Sequence, residues 1–379
     1  MSRIELSVAI MTHPDRLERA LALRDRLRPD VEAEVVVDPE PEGPRVALRS
    51  ARLAWAAAAD GATHHLVLQD DVSPCASMIE TLTRFINIDS PEALSLFANW
   101  WTDTSCLIRC AALLDLGKVP VVDVYIPTQA LVVPVEVAAT IGEWLERAEI
   151  TEPEDGVILA CLRQLNVRQM ATVPCLVEHD ASPSVSGNDT RGTRRAAAFS
   201  DSPVLTSTTA PLATPEVVPC FQRWSRRAGV RLFTITEQGA FAVAERPISV
   251  LFAKLGVPVE EITLAFERSI SRPSSSGSPE LLEEIGRDAL REAYFLAAGI
   301  ALCAAKHGGE SPEKISARLG DRLVALALST LVPGTAQLQL PIDDILANSE
   351  WLTEISLDGV ATGLAIAHQC DDWPNLVDF

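Results

Sequence analysis

The stretch His65-Leu66-Val67-Leu68-Gln69-Asp70-Asp71 decides how this chain is read. Its apolar centre has the length and composition of a β-strand. It runs straight into two adjacent carboxylates, and Ser73-Pro74 terminates it. Upstream, Ile4, Leu6, Val8 and Ile10 alternate through a first strand, which breaks at Thr12-His13-Pro14. Leu17, Ala20, Leu21 and Leu27 then share one side of a helix. Val35-Val36-Val37 is a second strand, closed by Asp38 and a turn-rich run to Pro44. Residues 45–59 predict an Ala-rich helix that stops at Asp60-Gly61. Strand and helix alternate, which implies an α/β fold: a mostly parallel sheet flanked by helices.

Downstream, a helix around 77–87 precedes a strand from Ala93 to Ala98. The alternation then becomes irregular. Val121–Tyr125 and Gln129–Val133 read as strands, and a helix runs from Val135 to about Arg147. Val157, Ile158, Cys161, Leu162 and Leu165 form a helical stripe. A last strand, Ala171–Val177, ends in Glu178-His179-Asp180, and residues 180–195 read as a loop. Residues 200–215, rich in Ser, Thr and Pro, read as a linker between a domain over 1–199 and a mainly helical one over 216–379. In the latter, strands 230–235 and 240–244 turn at Gln238-Gly239. Ser278-Pro279-Glu280 and Ser311-Pro312-Glu313 are helix starts; His307-Gly308-Gly309 and Pro333-Gly334 are stops.

The formal charge is −20 over 379 residues, and both halves are acidic. No basic face is offered to a polyanion, so nucleic acid is not an expected partner. The longest uncharged apolar run, Ala293–Ala305, is shorter than the ~20 residues of a membrane span. It instead implies helices that need partners, either within the chain or in a homo-oligomer. The start lacks a secretory pattern, because Glu5 interrupts it. Eight scattered cysteines without a C-x-x-C suggest reduced thiols and a cytoplasmic setting.

In a sheet of this kind ligands bind at the carboxyl ends of the strands. Those ends carry Thr12 to Arg16, Asp38, Asp70-Asp71, Asn99 to Thr102, and His179. Adjacent carboxylates repel, so keeping both ionised favours a nearby cation. Oxygen donors suit Mg²⁺ or Mn²⁺, and an imidazole tilts the choice toward Mn²⁺. Thr12 and Arg16, at a strand-to-helix junction, are candidates for phosphate or base. Asp38 suits a ribose hydroxyl, or is equally a turn-forming residue. Arg49, one turn from Arg52, is a candidate for a diphosphate, or is solvated. Trp100-Trp101 offers flat faces to a sugar ring, or is core. Glu154-Asp155 opens a helix, where acids also serve as simple caps.

The chain resembles the GT-A type of glycosyltransferase, which uses a nucleotide-diphospho-sugar, over about residues 4–190. The resemblance rests on Ser7 to Arg16, Leu66 to Val72, Glu154-Asp155-Gly156, and Val173 to His179. It implies a GT-A-like (Rossmann-like) fold with a mostly parallel mixed sheet, a nucleotide-sugar donor (a UDP-sugar foremost), a Mn²⁺ or Mg²⁺ cofactor, and an acceptor hydroxyl. The family's D-x-D motif maps to Gln69-Asp70-Asp71, with Gln in the first place. Asp71 is then the expected metal ligand, Asp70 the ribose or water-mediated contact, and His179 a further ligand. Glu178 and Asp180 are expected to orient its ring, and residues 182–195 to close over the donor. The resemblance also suggests Asp155 as general base, with Glu154 in reserve, in an inverting reaction. Two other readings stand beside this one: a nucleotidyltransferase, and a non-catalytic binding or assembly module built on the same fold.

Overall fold

The computed structural model describes residues 4–43, 45–180, 192–272, 283, 285–336 and 349–370. In chain order the elements are β1 (Leu6–Thr12), α1 (Leu17–Leu27), β2 (Ala33–Val37), α2 (Leu48–Ala56), β3 (His64–Gln69), β4 (Val72–Pro74), α3 (Met78–Phe85) and β5 (Glu92–Ser95). Next come α4 (Asp103–Leu114), β6 (Lys118–Pro120), β7 (Ala130–Pro134), α5 (Val135–Arg147), α6 (Glu154–Gln164), β8 (Arg168–Thr172) and β9 (Val177–His179). The remainder holds β10 (Val217–Gln222), β11 (Arg227–Thr236), β12 (Gly239–Pro247), α7 (Ile248–Lys254), α8 (Val259–Ile270), α9 (Arg287–His307), α10 (Pro312–Ala317), α11 (Arg322–Ser329), α12 (Leu331–Ala336) and α13 (Ser349–Gln369). Among the described residues no helix is long and apolar enough to cross a membrane. The start at Ser278-Pro279-Glu280 lies outside them, as do residues 181–191 of the expected loop.

The chain divides into two compact units, neither continuous in sequence. The first comprises Met1–Ala98, Asp123–Pro203 and Glu237–Gly239. Its strands run in the order β2-β1-β3-β7-β5-β8. β1 is parallel to β2 and β3, and β5 is parallel to β8. β7 alone runs against its neighbours β3 and β5. The sheet is therefore mixed and mostly parallel. Ala9 and Met11 of β1, Val67 of β3, and Leu131 and Val133 of β7 share one face. That face packs on Trp55 of α2, Ile141 and Leu145 of α5, and Ile158 and Leu162 of α6. Arg52 does not reach toward a ligand. Its guanidinium donates to the carbonyls of Leu145 and Ala148, at 2.7 Å each, and so caps α5. His65 is equally structural, with ring nitrogens near Ser7 Oγ and the Ala54 carbonyl.

The strand expected over Ala171–Val177 is two strands. β8 stays in the sheet, and β9 leaves it to pair antiparallel with the short β4. Val121–Tyr125 is not a strand; β6 ends just before it.

The second unit comprises Asn99–Val122, Val204–Thr236 and Ala240–Phe379. Mostly helical, it carries one three-stranded sheet in the order β10-β11-β12. Segment 99–122 thus groups with the helices, so a boundary at 200–215 does not separate the units. The reason lies in α4, in which all 12 residues are buried. A helix covered on every side shows no amphipathic period from which to be read. Residues 200–215 are not a free linker either. Leu212 donates to the Lys118 carbonyl at 2.8 Å, and Thr206 is 5 % exposed.

Pro333-Gly334 does not end a helix; both lie inside α12. Proline there sits in the first turn, where its missing N–H is not needed. The apolar run Ala293–Ala305 lies in α9 and is buried against α13 of the same chain. The two axes approach closely at Gly359 and Gly363. A Cβ on Gly363 would lie 2.8 Å from Ala301 Cβ and collide with the Ala298 carbonyl oxygen. Gly363→Ala is expected to destabilise the chain by about 1–3 kcal/mol, read as a lower urea midpoint.

Candidate functional site

β1 and β3 are neighbours and parallel, with Met11 opposite Gln69, so Thr12 and Asp70 leave the sheet side by side. Thr12 Oγ1 donates to Asp70 Oδ2 at 2.5 Å. One short helical turn later, Arg16 Nη1 donates to Asp70 Oδ1 at 3.1 Å and to Asp71 Oδ2 at 3.0 Å. Both carboxylates are buried, at 9 % and 7 % exposure.

The β4–β9 ribbon supplies the remaining member. Val72 pairs with His179, and the Asp180 N–H donates to the Asp71 carbonyl at 2.8 Å. This register brings His179 Nε2 to 3.5 Å from Asp71 Oδ2. The ring is 3 % exposed, and neither nitrogen has a hydrogen-bond partner. Asp71 Oδ1 is likewise buried and unpartnered. Phe97 packs on the imidazole with ring centroids 6.2 Å apart. Glu178 and Asp180 do not orient the ring. Glu178 Oε1 accepts from the His179 and Ala196 backbone N–H groups, and Asp180 pairs with Arg19.

The two acids are held differently. Burial alone would raise the Asp71 pKa, but His179 and Arg16 overcome it and hold the group at about 2. For Asp70, burial prevails over Thr12 and Arg16 and raises the pKa. Arg16 itself is held protonated: burial works against its charge, and the two carboxylates outweigh that.

A second chain of contacts starts at Gln69. Its Nε2 donates to Thr128 Oγ1 at 3.2 Å, and Thr128 Oγ1 donates to Glu154 Oε1 at 3.3 Å. Thr128 is next to this strand end because β7 runs antiparallel, with Ala130 opposite Leu68. Burial and then repulsion from Asp155 push the Glu154 carboxyl up to about 7. Asp155 Oδ1 accepts from the Gly156 N–H at 2.7 Å, a contact at the N-terminus of its own helix. Glu154 is thus an acid whose protonation changes near neutrality.

Asp38 and Arg49 hold each other. Arg49 Nε and Nη2 reach Asp38 Oδ1 and Oδ2 at 2.8 Å each, and both residues are buried. Arg49 also donates to the Glu40 carbonyl at 3.0 Å, so the pair latches the turn after β2. Trp100 and Trp101 belong to the second unit. Trp100 is 1 % exposed, and its carbonyl accepts from Arg109 Nη2 at 2.9 Å. Trp101 is half-buried beneath the Arg223 guanidinium, 4.7 Å from its ring centroid.

Of the residues singled out from sequence, Thr12, Arg16, Asp70, Asp71 and His179 come together. Thr128 escaped sequence reading, because its place depends on the direction of β7. His13 belongs to the strand end Thr12 to Arg16: its Nδ1 accepts from the Asp15 N–H at 3.2 Å, and its Nε2 is buried without a partner. Among the described residues no group of three or more His, Cys, Asp or Glu side chains is placed to hold a metal ion. Asp71 and His179, which meet, each have an unpartnered buried atom, as does His13. A carboxylate and an imidazole suit an ion that completes its shell from other oxygens, Mn²⁺ more than Mg²⁺. No protein-family model matches the chain, and a search of curated proteins finds no match.

Proposed function

We propose that the first unit is a nucleotide-sugar-dependent glycosyltransferase of GT-A type, moving a sugar to an acceptor hydroxyl with inversion. The observation that carries this reading is the meeting of Asp71, in the turn after β3, with His179, at the end of β9, with unpartnered polar atoms in a buried site. Asp71 and His179 would hold Mn²⁺ or Mg²⁺. When bound, such an ion offsets charge on the departing nucleoside diphosphate. Arg16 would meet a phosphate oxygen through its planar fork. Asp70, anchored by Thr12, is the contact for the ribose. Glu154 takes the acceptor proton as the acceptor oxygen bonds to the anomeric carbon and the bond to the diphosphate breaks. A carboxyl near pH 7 suits that role, since it is substantially ionised yet basic enough to accept a proton.

Titration calorimetry with a panel of nucleotide-diphospho-sugars, with and without Mn²⁺, tests the reading. At least one donor is expected to bind in a Mn²⁺-dependent way, and Asp71→Asn is expected to weaken that binding by about 10²-fold or more. Equal binding by Asp71→Asn overturns the site. Binding without hydrolysis or transfer to any acceptor identifies a non-catalytic module instead.

A further inference from the structure

Two adjacent buried carboxylates need positive charge nearby to remain ionised. Here that charge comes from the chain itself. A single guanidinium nitrogen, Arg16 Nη1, contacts Asp70 Oδ1 at 3.1 Å and Asp71 Oδ2 at 3.0 Å. Thr12 takes the other oxygen of Asp70. Every carboxylate oxygen of the pair is thus engaged except Asp71 Oδ1, which is buried and unpartnered, while His179 Nε2 lies 3.5 Å from Asp71 Oδ2, the oxygen that Arg16 also contacts. The unused donors and the internal cation share one carboxylate.

We propose that Arg16 is a built-in counter-ion that competes with a divalent cation for Asp71, so that metal enters fully only when an anion draws the guanidinium away. A divalent ion at Asp71 and His179 would stand next to a fixed positive charge in a poorly screened site, which weakens its binding. A diphosphate offers Arg16 an alternative partner of the geometry it prefers. Once Arg16 turns to that anion, Asp71 presents both oxygens to the ion. Metal and diphosphate then bind interdependently, and by linkage each strengthens the other by the same factor. The device also explains how the acid pair remains folded and charged before any ligand arrives.

This inference rests on the divalent-ion role given above to Asp71 and His179, but its test uses neither nucleotide nor sugar. Free Mn²⁺ is counted by electron paramagnetic resonance as it is titrated into the full chain, wild type and Arg16→Met. The variant is expected to bind Mn²⁺ at least about tenfold more tightly than wild type. The gain is expected to vanish in Arg16→Met/Asp71→Asn. Arg16→Lys, which keeps the charge, is expected to stay near wild type. Arg16→Gln carries the same comparison where Arg16→Met does not fold, and its circular dichroism spectrum is the control. Equal Mn²⁺ affinity in wild type and a folded neutral variant overturns the competition. A gain that survives Asp71→Asn overturns it as well. A folded neutral variant that binds no Mn²⁺ removes the ion site itself. A Mn²⁺ gain here, with no nucleotide-sugar binding in the separate calorimetry described above, leaves the competition standing and overturns only the transferase reading.

Discussion

Glu154→Gln is expected to lower turnover by about 10²–10⁴-fold while leaving Mn²⁺-dependent donor binding intact, because it removes a proton acceptor and little else. Gln keeps the shape and can still accept from Thr128. The same substitution is expected to stabilise the chain, but only in alkaline solution. The ordinary carboxyl value is 4.5, and here burial followed by Asp155 raises it to about 7. Below pH 4.5 the group is protonated in both folded and unfolded chains and contributes no difference. Between the two values the unfolded chain ionises first, so stability falls as pH rises. Above pH 7 the full cost of an ionised, buried carboxyl is present, about 2 kcal/mol after allowance for its partial exposure. Gln carries no such cost. Thermal melts at pH 8 and pH 5 check this: Glu154→Gln should melt higher than wild type at pH 8 and nearly level with it at pH 5. A variant that loses activity and stability together at pH 8 would assign Glu154 a structural role. In an active wild-type enzyme, the rate should rise through pH 7 as the base ionises.

The second large effect concerns stability. Arg49→Met strands the Asp38 carboxylate in a buried position, where two 2.8 Å charge-assisted bonds now hold it. Breaking one side of such a pair leaves an uncompensated buried charge, at a cost of about 3–5 kcal/mol. That is a large fraction of the roughly 5–15 kcal/mol by which folded domains are stable. Arg49→Met/Asp38→Asn should recover about half of the loss, since Asn carries no charge and still accepts from the Glu40 N–H. Urea unfolding of the four chains in the cycle gives the coupling directly. The opposite pattern, unchanged stability with lost nucleotide binding, would return Asp38 and Arg49 to the ligand-contacting role that their positions suggest from sequence.

These outcomes divide what is written along the chain from what is written across space. Strand–helix alternation through β1, α1, β2, α2 and β3 was legible because each of these elements buries one side or one run, and burial imprints a period on the sequence. The acids at the end of β3 were legible for the same reason: a carboxylate directly after an apolar strand has one place to go. The helix α4 was not legible, because all of its residues are buried and it carries no polar face to set a period. Nor was its grouping with the helical unit, since burial reveals that a side chain is covered but not by what.

Periodicity along the chain is enough to establish an α/β architecture with ionisable side chains at its strand ends. Which of those side chains meet is set by how the strands pair. The antiparallel course of β7 delivers Thr128 to Gln69, and the departure of β9 to pair with β4 delivers His179 to Asp71. Arg16 and Arg49, alike on paper as arginines near strand ends, separate into a bridge between two site acids and a latch on a turn. The physical reason is range. Periodicity is set by neighbours a few residues apart, whereas a charge chooses its partner from whatever chain folding brings within about 4 Å, here residues 54 and 55 positions away for Arg16 and 11 for Arg49.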